Sequence, residues 1–190
     1  MKNDYEIRGD VTVIFLDRKD GTRLECLIDT ADLPRAMEFQ WKWSPHWNPQ
    51  TESFYAEGKT YHKRNPDGTD AKREYHGLHR WLYLPLPKTV EVDHINHDTL
   101  DNRRSSNLRA IPKGMNQQNY KGARKDSSSG IRGVRKTYKD GYWKAAIKVN
   151  KVEYNLGCFT DLKEAEKVVT EARARMMPYS QEALNKEAYI

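Results

Sequence analysis

The chain has 190 residues, of which 37% are hydrophobic and 32% are charged, and its formal net charge is +6 at pH 7. With a mean hydropathy of −0.97 and no apolar run as long as a membrane helix, the composition indicates a polar protein of one or two small domains and argues against a membrane protein. The first residues carry no apolar signal region, so secretion is not predicted. Cys26 and Cys158 are the only cysteines, so the sequence predicts neither a disulfide framework nor a structural zinc site. A reducing cytoplasm is therefore the expected location.

The N-terminal third of the sequence has the pattern of β-structure. Apolar residues alternate over residues 11–16, Lys19-Asp20-Gly21 is a turn signal, and Leu24, Cys26 and Ile28 alternate on the return, which predicts a hairpin. Three tryptophans then follow closely, and they are more typical of a small core than of a binding platform: Trp41, Trp43 and Trp47.

The segment from residue 88 to residue 120 contains the candidate catalytic and metal-binding residues. The β-prone run Lys88–Val92 predicts that Asp93 and His94 lie where a strand ends. A short helix around Leu78–Leu82 is expected to support this site by packing, and a second helix is expected to begin after Pro112.

These residue types suit the hydrolysis of a phosphodiester. A histidine with a pKa near 6.5 can take a proton from water at neutral pH, and a hard divalent cation, which prefers oxygen ligands, can stabilise the leaving oxygen. Asp93 offers a carboxylate and Asn116 a carboxamide oxygen, while Asn107 can tie the intervening loop to the backbone near His94.

The segment resembles the HNH, or His-Me finger, endonucleases, whose ββα fold surrounds one metal ion. The matching positions are the pair Asp93-His94, the middle Asn107 and the final Asn116. The sequence of residues 93–104 is also similar to that of phage and intron-encoded homing members of the family. The resemblance implies His94 as general base, Asp93 and Asn116 as ligands of one Mg²⁺ (Mn²⁺ being possible), and Asn107 as the residue that fixes the loop.

Basic residues are dense beyond this motif. Between Arg103 and Lys148 the only acids are Asp126 and Asp140, which suits a polyanionic partner and predicts double-stranded DNA. Arg103, Arg104 and Arg109 are expected to clamp phosphates near the cut.

A second unit is predicted beyond the polar, basic linker 121–130. Ile131–Arg135 has the pattern of a strand, and Asp140-Gly141 that of a hairpin turn. The alternation over residues 142–149 gives a strand with one apolar and one basic face, and Val152–Phe159 predicts a third strand. Helical spacing from Leu162 to Met176, with Thr160 or Asp161 as cap, completes a three-stranded sheet on one helix.

This unit, residues 131–177, resembles the Apetala-type (ethylene-response-factor) DNA-binding domain. The residues that carry the resemblance are Arg132-Gly133-Val134-Arg135, Trp143, Leu156–Thr160 and Glu164-Ala165. It implies that DNA is contacted by basic residues of the sheet, here Arg132, Arg135 and Lys148. Lys144, on the basic face of the second strand, is also expected to contact DNA. Glu153 and Asn155 depart from the Arg and Trp of plant members, so the plant target sequence does not carry over.

The sequence therefore predicts an α+β protein: a β-rich N-terminal region with a ββα-metal finger (1–120, finger about 88–120), a basic linker (121–130), a C-terminal three-stranded antiparallel sheet packed on one helix (131–177) and a tail (178–190). The predicted function is that of a metal-dependent homing-type DNA endonuclease, acting as a monomer without a small-molecule cofactor. A DNA-binding regulator with an inactive finger is the alternative, and an RNA-binding module is a third possibility, though no aromatic-rich RNA motif supports it.

Overall fold

A computed structural model describes residues 1–61, 73–138 and 141–185 of the chain. The chain forms two compact units, Met1–Lys113 and Gly114–Ile190, so the boundary falls inside the segment predicted as the finger. Both units consist of small antiparallel sheets with few helices, which confirms the predicted α+β class. No helix among the described residues combines the length and the hydrophobicity needed to cross a bilayer.

The first unit contains three small sheets, ordered β1-β2-β3, β4-β5-β6 and β7-β8. The predicted N-terminal hairpin is confirmed as β2 and β3, and β1 pairs with the other edge of β2. The elements are β1 (Tyr5–Arg8), β2 (Val11–Asp17), β3 (Arg23–Asp29), a 3₁₀ turn (Thr30–Asp32), α1 (Leu33–Met37), β4 (Trp43–Asn48), β5 (Ser53–Tyr61), β6 (Arg73–Gly77), α2 (Leu78–Trp81), β7 (Val90–His94) and β8 (Leu108–Pro112).

One hydrophobic core joins the N-terminal sheets to the finger hairpin. Phe39 and Trp43 stack at its centre with ring centroids 4.1 Å apart, and α2 contributes the fully buried Leu78. Val92 of β7 and Leu108 of β8 belong to the same core. The predicted packing role of the helix at Leu78 is thereby confirmed, and the N-terminal region and the hairpin are held together by shared burial.

The tryptophan cluster divides between core and surface. Trp43 is fully buried and Trp41 packs against the same core, as predicted. Trp47 was expected in the core but is 47% exposed and packs edge-on against Phe54, because it lies near the far end of β4, four residues beyond the buried Trp43.

The second unit confirms the predicted three-stranded antiparallel sheet on one helix. The strand order is β11-β10-β9, and Ala145 and Ile147 of the central strand pack against Ala165 and Val169 of the helix. Its elements are a 3₁₀ helix (Met115–Asn119), β9 (Val134–Lys136), β10 (Trp143–Val149), β11 (Val152–Phe159), α3 (Leu162–Met176) and α4 (Gln181–Leu184). The predicted cap of α3 is Asp161, whose carboxylate accepts a hydrogen bond from the Lys163 amide at 2.8 Å.

The first strand of this sheet is shorter than predicted, because residues 131–133 form a turn. The Gly133 carbonyl accepts a hydrogen bond from the Ala146 amide at 2.8 Å, and Gly133 has a φ of +89°. A Cβ there would lie 2.8 Å from the Ala146 carbonyl oxygen, so only glycine fits this turn. The turn predicted at Asp140-Gly141 includes Asp140, which lies outside the described residues, as do residues 186–190 of the predicted tail.

The predicted linker, residues 121–130, falls within the second unit and makes hydrogen bonds to strand β9. The Ser129 hydroxyl donates to the Val134 carbonyl at 2.6 Å, and the Ser128 hydroxyl accepts from the Lys136 amide at 3.4 Å. The last residues before β9 are therefore anchored to that strand.

Candidate active site

The hairpin of β7 and β8 places Asp93 and His94 side by side at a strand end, as predicted. In the antiparallel register Asp93 lies opposite Arg109 and His94 lies opposite Leu108. Both side chains are buried, and the loop 95–107 leaves the hairpin directly after them. The contacts that hold this loop in place therefore determine the surroundings of the His94 side chain.

Asn107 fixes the loop through its carboxamide. Its Oδ1 accepts from the Asn96 amide at 2.8 Å, and its Nδ2 contacts the carbonyl oxygens of Asp98 (3.1 Å) and Asp101 (2.7 Å). Its own carbonyl accepts from the Ile95 amide at 2.8 Å. These bonds close the loop onto the residues that follow His94, which is the geometry expected of Asn107.

The N-terminal sheet also holds this loop, a feature that the sequence did not predict. Strand β3 exchanges backbone hydrogen bonds with it: the Leu27 amide donates to the Leu100 carbonyl (2.8 Å), and the Asn102 amide donates to the Leu27 carbonyl (2.7 Å). The Asp29 carboxylate, at the end of β3, accepts from the Ser105 amide at 2.9 Å. The loop beside His94 is thus braced by an element about seventy residues earlier in the chain.

Asp93, the predicted metal ligand, is paired with Arg109. The Nε and Nη2 atoms of Arg109 lie 3.0 and 2.8 Å from Oδ2 of Asp93. Arg109 was predicted to clamp DNA phosphates, and in the structure its guanidinium contacts this carboxylate. The pair orients the carboxylate at the strand end by a charge-assisted hydrogen bond.

The His94 ring is enclosed by aromatic and polar neighbours. Its centroid lies 5.2 Å from that of His79 and 5.9 Å from that of Tyr55, and its Nε2 lies 3.3 Å from Oδ1 of Asn102. Burial lowers the pKa of His94, although the Asn102 hydrogen bond and the nearby aspartates act in the opposite direction. A neutral imidazole results at pH 7, which is the form that accepts a proton.

His79 is neutral for the same physical reason. Burial, with a smaller effect from His94, lowers the pKa of His79 to about 3. The ring packs against Gly77, where a Cβ would lie 2.6 Å from Cε1 of His79. These contacts agree with the packing role expected of the short helix around Leu78–Leu82.

The two arginines of the loop are each paired with an aspartate of the same unit. Arg103 binds Asp101 through Nε and Nη2 at 2.8 and 2.7 Å, and Arg104 binds the buried Asp32 through Nε at 2.7 Å and through Nη2. The hydrogen bonds to these aspartates raise the pKa of both arginines. Their side chains remain 31% and 44% exposed.

Asn116 lies in the second unit, as the second residue of the 3₁₀ helix Met115–Asn119. The helix expected after Pro112 is therefore one turn of 3₁₀ structure. Arg132 supports the residues just beyond Asn116, because its guanidinium donates to the carbonyl oxygens of Gln117 (2.7 Å) and Gln118 (3.0 Å). Burial lowers the pKa of Arg132, and this residue, predicted to contact DNA, makes its described contacts within the chain.

The outer face of the C-terminal sheet carries the other predicted DNA contacts. Lys144 lies opposite Arg135 in the register, and Lys148 lies opposite Glu153. Oε1 of Glu153 is 3.3 Å from Arg135 and 3.5 Å from Lys144, so one acid sits among the basic side chains. The face opposite the core is thus basic, as predicted, with Glu153 orienting two of its cations.

Asp93 is not part of a preformed cluster of metal-binding side chains in the described part of the chain. Among residues 1–61, 73–138 and 141–185, no three or more His, Cys, Asp or Glu side chains form a group that could hold a metal ion.

Two residues of this site were missed at the level of sequence. The sequence predicts no role for Asn102, which lies within residues 93–104, or for Tyr55. The signal for Asn102 was its place in a loop shared with Asn107; nothing local marks Tyr55, whose contact with His94 arises from the packing of β5.

Comparison with known protein families supports the prediction of an HNH finger in this part of the chain. The family model described as HNH endonuclease matches residues 76–118, a span that includes Asp93, His94, Asn107 and Asn116. The match covers less than half of the chain, so it identifies an HNH endonuclease domain within the protein. Neither a curated protein nor a solved structure gives a significant match.

Proposed function

We propose that the protein is a metal-dependent DNA endonuclease in which His94 is the general base. The HNH endonuclease match over residues 76–118 suggests a nuclease acting on DNA. The observation that carries the assignment of His94 is its buried imidazole at the end of β7, beside Asp93 and next to a loop closed by Asn107. In this reading the imidazole takes the proton of the attacking water.

The proposed metal ligands are Asp93 and Asn116. Asp93 is supported by its carboxylate at the strand end, and Asn116 by the resemblance and by its place within the family match. When bound, a divalent cation, Mg²⁺ in our proposal, supplies stabilisation of the negative charge on the leaving oxygen. Arg109 then acts by holding the Asp93 carboxylate in place.

DNA recognition is proposed for two groups of basic residues. Arg103 and Arg104 lie on the loop next to His94, and their partly exposed guanidiniums can reach phosphates while Asp101 and Asp32 orient them. The outer face of the C-terminal sheet is proposed to read the target in the manner of an Apetala-type domain, through Arg135, Lys144 and Lys148. Homing-type action, binding as a monomer and a cytoplasmic location remain predictions from the sequence.

The test is a plasmid-nicking assay in excess chelator and after addition of Mg²⁺ or Mn²⁺. Chelation should stop cutting and either ion should restore it, and Asp93→Ala and Asn116→Ala should each raise the ion concentration needed. Full activity in excess chelator would contradict the one-metal proposal. DNA binding without cutting under any of these conditions would favour the alternative, a DNA-binding regulator with an inactive finger.

A further inference from the structure

Asn102 bridges His94 to the N-terminal sheet. It is 1% exposed, and its carboxamide has a different partner on each side: Oδ1 lies 3.3 Å from Nε2 of His94, and Nδ2 donates to Sγ of Cys26 at 3.2 Å. Its backbone amide donates to the Leu27 carbonyl at 2.7 Å. Both the backbone and the side chain of Asn102 are therefore fixed by strand β3.

This arrangement has a consequence for the protons of the His94 ring. A carboxamide oxygen can only accept, so a hydrogen bond between Oδ1 and Nε2 requires the proton to be on Nε2. A neutral imidazole carries one ring proton, so Nδ1 then holds the free electron pair. Cys26 is fully buried, which raises the pKa of its thiol to about 12, so its sulfur stays uncharged and is a weak acceptor for Nδ2.

We propose that Asn102 is a positioning residue that keeps the proton on Nε2 of His94, so that Nδ1 acts as the general base. The proposal rests on the proposed function in one respect, namely that His94 is the base. In the reaction Nδ1 accepts the proton of water while the water oxygen forms a bond to phosphorus. The bond from phosphorus to the leaving oxygen breaks, and that oxygen departs with the electron pair.

Asn107 cannot take this role, although it is the asparagine that the sequence motif emphasises. The described contacts of its carboxamide are with backbone groups of the loop, at Asn96, Asp98 and Asp101. Asn107 shapes the loop, whereas Asn102 touches the imidazole. The two asparagines therefore have separable effects: loss of loop order in one case and a change of ring tautomer in the other.

The direct test is the tautomer of His94 in the full chain, measured from the ¹⁵N shifts of the imidazole nitrogens and assigned with His94→Gln. We expect the neutral ring to carry its proton on Nε2 in the wild type. Asn102→Leu, which has a similar shape without an acceptor, should lose this preference. Asn102→Asp keeps an acceptor facing Nε2 and should retain the preference. This measurement needs no cleavage, so it separates a failure of this proposal from a failure of the proposed nuclease function.

Kinetics provide the second readout. Asn102→Leu should lower kcat at least tenfold, within the roughly 10²–10⁴-fold loss that removal of a general base causes, with little change in KM for DNA. Asn102→Asp should recover most of kcat. The matched control is Cys26→Ala, which removes the partner on the other side of the carboxamide and should lower kcat less than Asn102→Leu does.

Three outcomes would overturn the proposal. The first is a wild-type His94 protonated on Nδ1, because Asn102 would then have to donate. The second is a folded Asn102→Leu variant that retains both the wild-type tautomer and kcat. The third is Cys26→Ala reproducing the full loss, which would mean that Asn102 acts through packing alone. If Asn102→Leu fails to fold, the wild-type tautomer and the Asn102→Asp and Cys26→Ala variants still decide.

Discussion

At the scale of single residues, packing and hydrogen bonds fix the side chains of the site in position, and burial keeps the His94 imidazole uncharged. His94 is buried between aromatic rings, and its lowered pKa leaves it ready to accept a proton. Asp93 beside it stays oriented because Arg109 holds one of its oxygens. The two adjacent side chains can therefore serve different purposes, His94 as a base and Asp93 as a ligand.

The first prediction at this scale is that His94→Ala abolishes cleavage while DNA binding remains nearly intact. Loss of the general base should cost roughly 10²–10⁴ in rate, because the variant has no imidazole at position 94 to take the proton of the attacking water. Cleavage rates and binding affinities of the variant and the wild type, measured side by side, provide the check. A cleavage rate within a few-fold of wild type would rule out His94 as the base.

The second prediction concerns His79 and the dependence of stability on pH. Its pKa is about 3 in the folded protein and near 6.5 when unfolded, so the unfolded chain binds more protons between these values. This group therefore adds stability above about pH 6.5 and loses it as the pH falls toward 3, by at most about 1.4 kcal/mol per pH unit. His79→Gln should flatten the fall in unfolding free energy between pH 6.5 and 4.5, measured by urea denaturation. An unchanged slope would mean that His79 is not protonated more readily in the unfolded chain.

The residues of the site also show how much of it could be predicted from the sequence. Asp93, His94 and Asn107 follow each other in one segment, so a motif with fixed spacing was enough to find them. The partners of that segment were not accessible in this way. Asp32, Cys26 and Tyr55 come from distant strands and turns, and local patterns do not specify which side chains a folded core brings together.

At the scale of elements, strand β3 has two functions. It completes the N-terminal hairpin, and its far edge bonds the loop that follows His94 through Leu27. The same periodicity that identified β3 as a strand gave no information on what would pair with its outer edge. Gly133, just before the short strand β9, shows a second limit of prediction from sequence. The sequence shows that this residue is a glycine, but only the structure shows that the turn there leaves no room for a side chain.

The third prediction separates the two possible roles of Arg104. Arg104→Ala should destabilise the protein by roughly 1–3 kcal/mol, because the buried carboxylate of Asp32 loses its hydrogen-bonded partner. Asp32→Asn combined with Arg104→Ala should recover much of that stability, since no buried charge is then left unpaired. Unfolding free energies of the two single variants and the double variant test this coupling.

DNA affinity of the same variants tests the proposed phosphate contact. If Arg104 also clamps a phosphate, the double variant should still bind DNA more weakly than wild type, with a smaller salt dependence. Wild-type affinity in the stabilised double variant would restrict Arg104 to its structural role.

At the scale of the whole molecule, the division into two units changes how the parts can be tested. The family match continues past Lys113 into the second unit, and Asn116 belongs to that unit. A chain cut within 121–130 would keep Asn116 but lose Arg132, whose guanidinium holds the carbonyl groups just after it. Such a truncation would disturb the proposed metal ligand as well as remove the proposed reader. Point variants on the outer face of the C-terminal sheet are therefore the cleaner test of recognition.

The last prediction compares two residues of that face in the full chain. Lys148 is exposed on the side of β10 opposite the core, so Lys148→Ala should lower affinity for all duplexes and reduce the salt slope by about one unit. Arg135 can make a bidentate contact with guanine, so Arg135→Ala should cost roughly 1–3 kcal/mol on the target and relax one position of the site. Binding of target and scrambled duplexes across a salt series distinguishes the two effects.

The matched control is Lys167→Ala, which removes the same charge from α3, the helix packed against the opposite face of the sheet. It should change affinity and salt slope less than Lys148→Ala does, because a general loss of positive charge acts weakly beyond a Debye length of about 8 Å. Equal effects of Lys148→Ala and Lys167→Ala would mean that the sheet face makes no specific contact. In that case, target recognition would have to reside in the first unit, where Arg103 and Arg104 flank the proposed catalytic histidine.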